Sequence, residues 1–387
     1  MEDFLAYQEF MKNQPAFRLH LLQAYRSRRL DRHRQTRLNR YRSASALRQH
    51  AASVDSAWYE YYLEREAYAL ESANKRNQKH NLPDQEAKLL RALMAVKLRQ
   101  ACETLAHLRI ARMDYKIPLL EEVQQLANQS NYYTDPSIRL FYLATLLYQQ
   151  SNDDVTEIFQ ELKAGLETNI NQFPREDQRN LLVLAINHGL RQSNAGKSAY
   201  LRQTLDLYQL GLRTKILYDR GRIGVFTFNN IIGIALRLGE NEWAATFLED
   251  NVRYLPPDQN TEIESLNRAR LAFQRRDYST TLQHLQTADY RDFIHHMTAR
   301  VMQLKIFFER DDYNLLTSLL RSTRTLIKRR KSPGYHERNY LNILKFTESL
   351  LKLLPNDKVA TAELIEQIRA TEPCTEKEWL LERLSKG

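Results

Sequence analysis

Residues 239–256 read GENEWAATFLEDNVRYLP: a small polar turn, then an aromatic, alanines, an apolar pair and a closing proline. Gly239-Glu240 is a stop signal, because glycine takes up the left-handed conformation that ends a helix. The spacing beyond it predicts a helix over 241–254, closed by Pro256-Pro257. The theme then returns. Asp277-Tyr278 and Asp312-Tyr313 each follow a polar turn and open a second helix, and Trp243, Tyr278 and Tyr313 lie 35 residues apart. Looser echoes stand at Asp114-Tyr115, Asp154-Val155, Lys197 to Tyr200 and Asp357 to Val359, at spacings of about 40 to 46 residues. Two helices per recurring unit of this length point to a helical repeat array, in which a single pair cannot bury both apolar faces and must lean on its neighbours.

The same alternation runs outward along the chain. From Asp84 to Arg112, the residues Leu90, Met94, Leu98, Ala101, Leu105 and Leu108 recur every three or four positions, a stripe facing a neighbour. Helices are expected at about 137–150, 153–171, 176–192, 197–219, 225–238, 260–275, 278–288, 292–309, 312–330, 336–354 and 358–370, with a short one near 376–385. Connections this short bring consecutive helices together as antiparallel pairs. Only 10 Gly and 10 Pro occur in 387 residues, against usual shares of roughly 7% and 5%, so a turn-rich sheet protein is excluded. Trp58, Tyr59, Tyr61, Tyr62 and Tyr68, like Phe141, Tyr142, Tyr148 and Phe159, read as rings wedged between helix layers.

Gly239 to Ala244, with Leu248, Asn251 and Pro256, resembles the second half of a tetratricopeptide repeat. Asp277-Tyr278, Thr281, Leu285, Ala288 and Asp312-Tyr313, Leu316, Leu320, Thr323 follow the same pattern. Placing Ala244 on the family's small-residue position puts Asn241 in the aromatic slot, and that spacing becomes 37. Thr281 and Leu316 stand where the family has alanine, and the first helices lack its Trp–Leu–Gly pattern; the resemblance is clearest over 225–325. It implies an all-α protein, an α-solenoid of about six or seven antiparallel helix pairs over 55–387 with a short C-terminal capping helix. It also implies that a peptide or partner protein is held on a solenoid face.

The formal charge of +10 is concentrated. Between residues 10 and 54 stand eleven Lys/Arg and one acid, Asp31, while the rest of the chain is neutral. Residues 1–54 therefore read as a basic helical segment, with one helix over 17–49 whose apolar line is Leu22, Leu30, Leu38 and Tyr41. The arginines Arg28, Arg29, Arg32, Arg34, Arg37, Arg40 and Arg42 are its candidate contacts to an anionic partner. Three readings remain open: a solvated helix whose arginines pair with Glu60, Glu64 or Glu66, a nucleic-acid surface working by counterion release, and a surface for an acidic protein or anionic membrane.

Motifs for chemistry fail on context. Gly196-Lys197-Ser198 is like the end of a phosphate-binding loop, but Arg191 stands where its first glycine belongs and a helix, not a strand, precedes it. His295 and His296 are adjacent and point about 100° apart on a helix, and neither they nor His284 belong to a His-Glu-x-x-His pattern. Glu121-Glu122 and Asp311-Asp312 sit where carboxylates cap helix starts. Gly221 and Gly224 mark a plain inter-repeat loop ahead of the β-favouring run Val225 to Phe228. Cys102 and Cys374 read as reduced, space-filling thiols. The expectation is a non-enzymatic protein without metal or cofactor. No run of about 20 apolar residues and no secretory signal is found, which makes a cytoplasmic location the expectation.

Overall fold

The computed structural model describes all residues except 13, 48–52, 74–76, 112–114, 150–154, 330–334, 355, 356 and 387. Among the described residues the regular structure is helical apart from one two-residue ribbon, and the chain divides into two units, residues 1–227 and 228–387. The first contains α1 (Glu2–Lys12), α2 (Gln14–Ser27), α3 (Asp31–Leu47), α4 (Val54–Ser72), α5 (Leu82–Ala111), α6 (Leu120–Ala127), α7 (Ser130–Tyr133), α8 (Pro136–Gln149), α9 (Thr156–Asn169), α10 (Arg175–Asn194) and α11 (Ala199–Arg213). The second holds most of α12 (Val225–Arg237), then α13 (Asn241–Asn251), α14 (Asn260–Gln274), α15 (Tyr278–Thr287), α16 (Phe293–Glu309), α17 (Tyr313–Lys328), α18 (Tyr335–Lys352), α19 (Lys358–Ala370) and α20 (Lys377–Lys386).

One turn recurs between these helices. After α12, Gly239 has φ +77°; its N–H donates to Leu236 O at 3.0 Å, and the Glu240 N–H donates to Ala235 O at 2.9 Å. This pair of bonds is the Schellman cap, which satisfies carbonyls the helix leaves open. The same two bonds close α14 at Arg276 (φ 59°) and Asp277, and α16 at Asp311 (φ 56°) and Asp312. They also close α10 at Gly196 and Lys197, which is what the phosphate-loop look-alike turns out to be.

The helices that follow share a register. Asn241, Tyr278 and Tyr313 open α13, α15 and α17, so the spacings are 37 and 35, and Trp243 is not the counterpart of Tyr278. Three residues on, Ala244, Thr281 and Leu316 are all fully buried, and a turn later Leu248, Leu285 and Leu320 are buried too. The exits repeat as well. At Asn169 and Asn251 the amide side chain donates to the carbonyl four residues back, at 3.0 Å in both cases. A single 3-10 turn follows each, then extended backbone at Phe173 and Leu255, then proline. This second copy of the motif, in the first unit, lies outside the stretch where the sequence pattern is plain.

Within each unit, helices pack as pairs and also touch the next helix but one. In the first unit α8 meets α9 and α10, and α9 meets α10 and α11; in the second α14 meets α15 and α16, and α18 meets α20. Close approach makes glycine necessary at Gly189 on α10. A Cβ there would stand 2.1 Å from Thr204 Oγ1 and 3.3 Å from Phe159 Cζ.

Two expectations change. The single helix over 17–49 is two helices, because Arg29 takes φ 54° and forms the same Schellman cap with Leu30. Leu30 is thereby exposed, while Leu22, Leu38 and Tyr41 join Tyr59, Leu63, Ala67 and Leu70 of α4 in one core. Helix 197–219 stops at Arg213; Tyr218–Asp219 and Arg222–Ile223 pair antiparallel around Arg220 and Gly221, both with positive φ, as a two-residue hairpin turn demands. The helix expected at 225–238 forms as α12, so the β-favouring run from Val225 to Phe228 is its first turn, with Phe228 buried.

Candidate functional site

The seven arginines proposed as anion contacts separate into three groups. Arg34 is buried, facing α4: its Nε donates to Glu66 Oε2 at 3.1 Å and its Nη2 to Glu66 O at 3.2 Å. Arg42 holds Glu64 with a two-pronged fork, Nε to Oε1 at 2.9 Å and Nη2 to Oε2 at 2.8 Å. These two are consumed in docking α3 onto α4. Arg28 and Arg29 sit at the α2–α3 corner, where the Arg28 Nη1 donates to Ala24 O at 3.2 Å and caps α2.

Arg32, Arg37 and Arg40 remain. All three are exposed, and among the described residues none has a carboxylate partner. With Tyr25, His33 and Thr36 they line a groove of about 400 Å³. Positions 33, 36, 37 and 40 lie on one face of α3, some 100° round from the buried face of Arg34, Leu38 and Tyr41. Tyr25 and His33 stand with ring centroids 6.0 Å apart at its floor, whereas Tyr41 is covered by the Arg18 guanidinium at 5.2 Å. Glu60, the third acid named as a partner for the arm, instead accepts from Lys88 Nζ at 2.7 Å and Arg91 Nη1 at 3.1 Å.

A second polar cluster lies inside the residue 228–387 unit. His295 Nδ1 is 2.7 Å from Glu262 Oε1, and Asn229 Nδ2 is 3.0 Å from His295 Nε2. Asn267 Nδ2 donates to Asn229 Oδ1 at 2.7 Å, and Arg270 Nη1 donates to Asn267 Oδ1 at 3.1 Å. Each group accepts from the one before it, so a single chain of donors runs from the Arg270 guanidinium to the Glu262 carboxylate. That order assigns the proton of a neutral His295 to Nδ1. His295, Asn229 and Asn267 are all buried. Burial pushes the Arg270 guanidinium down to about 10. Sequence reasoning weighed His295 only as a metal ligand and passed over Arg270. A signal was present: Asn267 and Arg270 continue the stripe begun by Ile263 and Leu266 at positions where apolar residues belong.

Cys102 is buried, and burial raises its thiol far above the ordinary range; Cys374 is pushed up to about 11, chiefly by burial. Among the described residues, no three His, Cys, Asp or Glu side chains converge as a metal set, and no helix is long and apolar enough to cross a membrane. No family model matches the chain, and neither a curated protein nor a solved structure does.

Proposed function

We propose that the protein is a non-enzymatic binding scaffold, a tetratricopeptide-like solenoid that presents its helix faces to a partner protein. The observation that carries this reading is the shared register at Gly239, Arg276 and Asp311, where one cap and one set of buried positions recur. Contacts to the next helix and the next but one are how stacked repeats bury their second apolar face. Repeats of this kind extend a surface without enclosing a reaction.

The groove of Arg32, Arg37 and Arg40 is the part of this surface with a chemical preference, and an acidic protein segment is the partner that suits it. Nucleic-acid binders whose affinity falls steeply with salt make about 6–10 phosphate contacts. The groove itself offers three guanidinium groups, Arg32, Arg37 and Arg40, because Arg34 and Arg42 are tied to glutamates. The test is fluorescence anisotropy with two labelled probes, a short acidic peptide and a single-stranded oligonucleotide, over a range of salt. The peptide is expected to bind, and to lose at least about tenfold in affinity in the R32A/R37A/R40A variant, as three lost charge contacts imply. Tighter binding of the oligonucleotide with a steep salt slope would transfer the groove to nucleic acid. Peptide binding that ignores the triple substitution would remove the groove from the function altogether.

A further inference from the structure

Arg270 is a half-buried cation with no carboxylate in hydrogen-bond reach among the described residues, and Glu376 acts on it only from farther off. Its acceptors among the described residues are neutral: Asn267 Oδ1 at 3.1 Å and, more weakly, Asn229 O at 3.5 Å. Even partial removal of an ion from water is unfavourable unless an opposite charge compensates it, so an open guanidinium edge of this kind suits an anion that arrives from outside. The guanidinium is also held still. One of its nitrogens is fixed by the donor chain through Asn267, Asn229 and His295, and its remaining N–H donors keep the planar fork that suits two oxygens of an oxyanion.

Arg270 lines a cavity of about 410 Å³, within the range of small-molecule sites. Phe273, Val301 and Met302 give the cavity apolar wall; Thr298 and Tyr340 give it hydroxyls. Glu376, the acid in the same cavity, is already taken by Lys305 Nζ at 2.7 Å. Gly233 on α12 also faces this space, and a Cβ built on it meets nothing within 4 Å. Its missing side chain is what leaves room there.

We propose that this cavity binds a small ligand with an oxyanion head, a carboxylate or a phosphate monoester, on an apolar body, the head pairing with Arg270. The head supplies the direct ion pair that Glu376, held by Lys305, does not make, and the body lies against Phe273 and Met302. This site is independent of the groove on α3 and of the partner proposed for it.

The experiment uses the full chain and three probes of one shape: phenylacetate, phenyl phosphate and the neutral phenylacetamide. Binding is read by calorimetry and by the shift in Tm. At least one oxyanion is expected to bind at least tenfold more tightly than the amide, and the tighter of the two names the head. Arg270→Gln, which keeps a donor for Asn267 but no charge, is expected to lose at least tenfold in oxyanion affinity. Gly233→Leu fills the space without touching the cation; it is expected to lose the same binding while the Tm without ligand stays or rises, since leucine is the better helix former. Should Arg270→Gln fail to fold, Gly233→Leu decides alone. No oxyanion binding below about 10 mM would overturn the proposal, a limit weaker than any specific small-ligand site. Equal binding of the amide, or a Gly233→Leu variant that binds as the parent does, would overturn it as well.

Discussion

Substituting Arg34 and Arg37 one at a time should give opposite results, although the two residues are three positions apart in one basic run. Arg34 is 3% exposed, and Glu66, which it holds, has a side chain only 12% exposed. Arg34→Ala strands that carboxylate with one remote cation, Arg26, at 3.8 Å and itself largely in water. Breaking a buried pair from one side costs about 3–5 kcal/mol, and the Arg26 charge with the residual exposure of Glu66 places the loss near about 3. The loss falls on the core of Leu22, Leu38, Tyr41 and Leu63 that the pair brackets. Arg37 is exposed and without a carboxylate partner among the described residues, so Arg37→Ala should stay within about 0.5 kcal/mol. Because a chain of two units need not unfold in one step, the readout is amide hydrogen exchange of α2–α4, with urea unfolding alongside. Arg34→Ala should speed exchange there about a hundredfold, the factor that about 3 kcal/mol implies, and leave residues 228–387 unchanged. In the double variant with Glu66→Leu much of the loss should return, since an apolar pair can replace a buried ion pair. Equal exchange in the two single variants would refute the division of the arm into docking and free arginines.

Three further outcomes test other parts of the structure. At the repeated caps, Gly239→Ala should destabilise by about 1 kcal/mol, while Asp311→Gly should stabilise by up to about as much, because φ near +60° suits glycine and strains other residues; urea midpoints decide, and no change at either position would mean the turns are not alike. Gly189→Ala should cost about 2 kcal/mol net, overpacking against Thr204 offset in part by helix propensity, and should cost less when Thr204 is also alanine, because the contact to its hydroxyl goes while those to its Cβ and to Phe159 stay; additivity of the two substitutions would show that the helices are not in contact there. Cys102 should react slowly with a disulfide reagent in the native state and fast after unfolding, with the half-buried Cys374 reacting faster than Cys102 in the native state. Burial holds their folded pKa values above the unfolded ones, so their contribution to stability is present below the free-thiol pKa and lost as pH rises through the alkaline range; fast native reaction at Cys102 itself, located by peptide mapping, would contradict its burial.

Local chemistry determined most of the helices and several of their ends. Polar turns at Gly239, Arg276-Asp277 and Asp311-Asp312 stop a helix by backbone conformation, a property of a few neighbouring residues, and so they are visible in the chain itself. The break at Arg29 escaped notice because arginine is a good helix former and carries no mark of a left-handed turn; what holds it there is the core that Leu22 and Leu38 make with α4. The Asn–x–x–x–Phe/Leu–Pro exit near 169–174 is legible in the chain, since Leu166-Glu167-Thr168-Asn169-Ile170 matches Leu248-Glu249-Asp250-Asn251-Val252 and each stretch ends on proline.

For the candidate sites the division is sharper. The excess of positive charge, and its place near the N-terminus, are written in the amino-acid order alone. Which arginines are spent on glutamates and which stay free is decided by where α4 lies, since an ion pair needs two side chains within a few ångströms and tens of residues separate them in the chain. The same holds for Arg270. Whether a lone arginine on an apolar stripe meets solvent, a carboxylate or an empty cavity depends on three helices arriving together, and only the tertiary structure brings α12, α14 and α16 to one place.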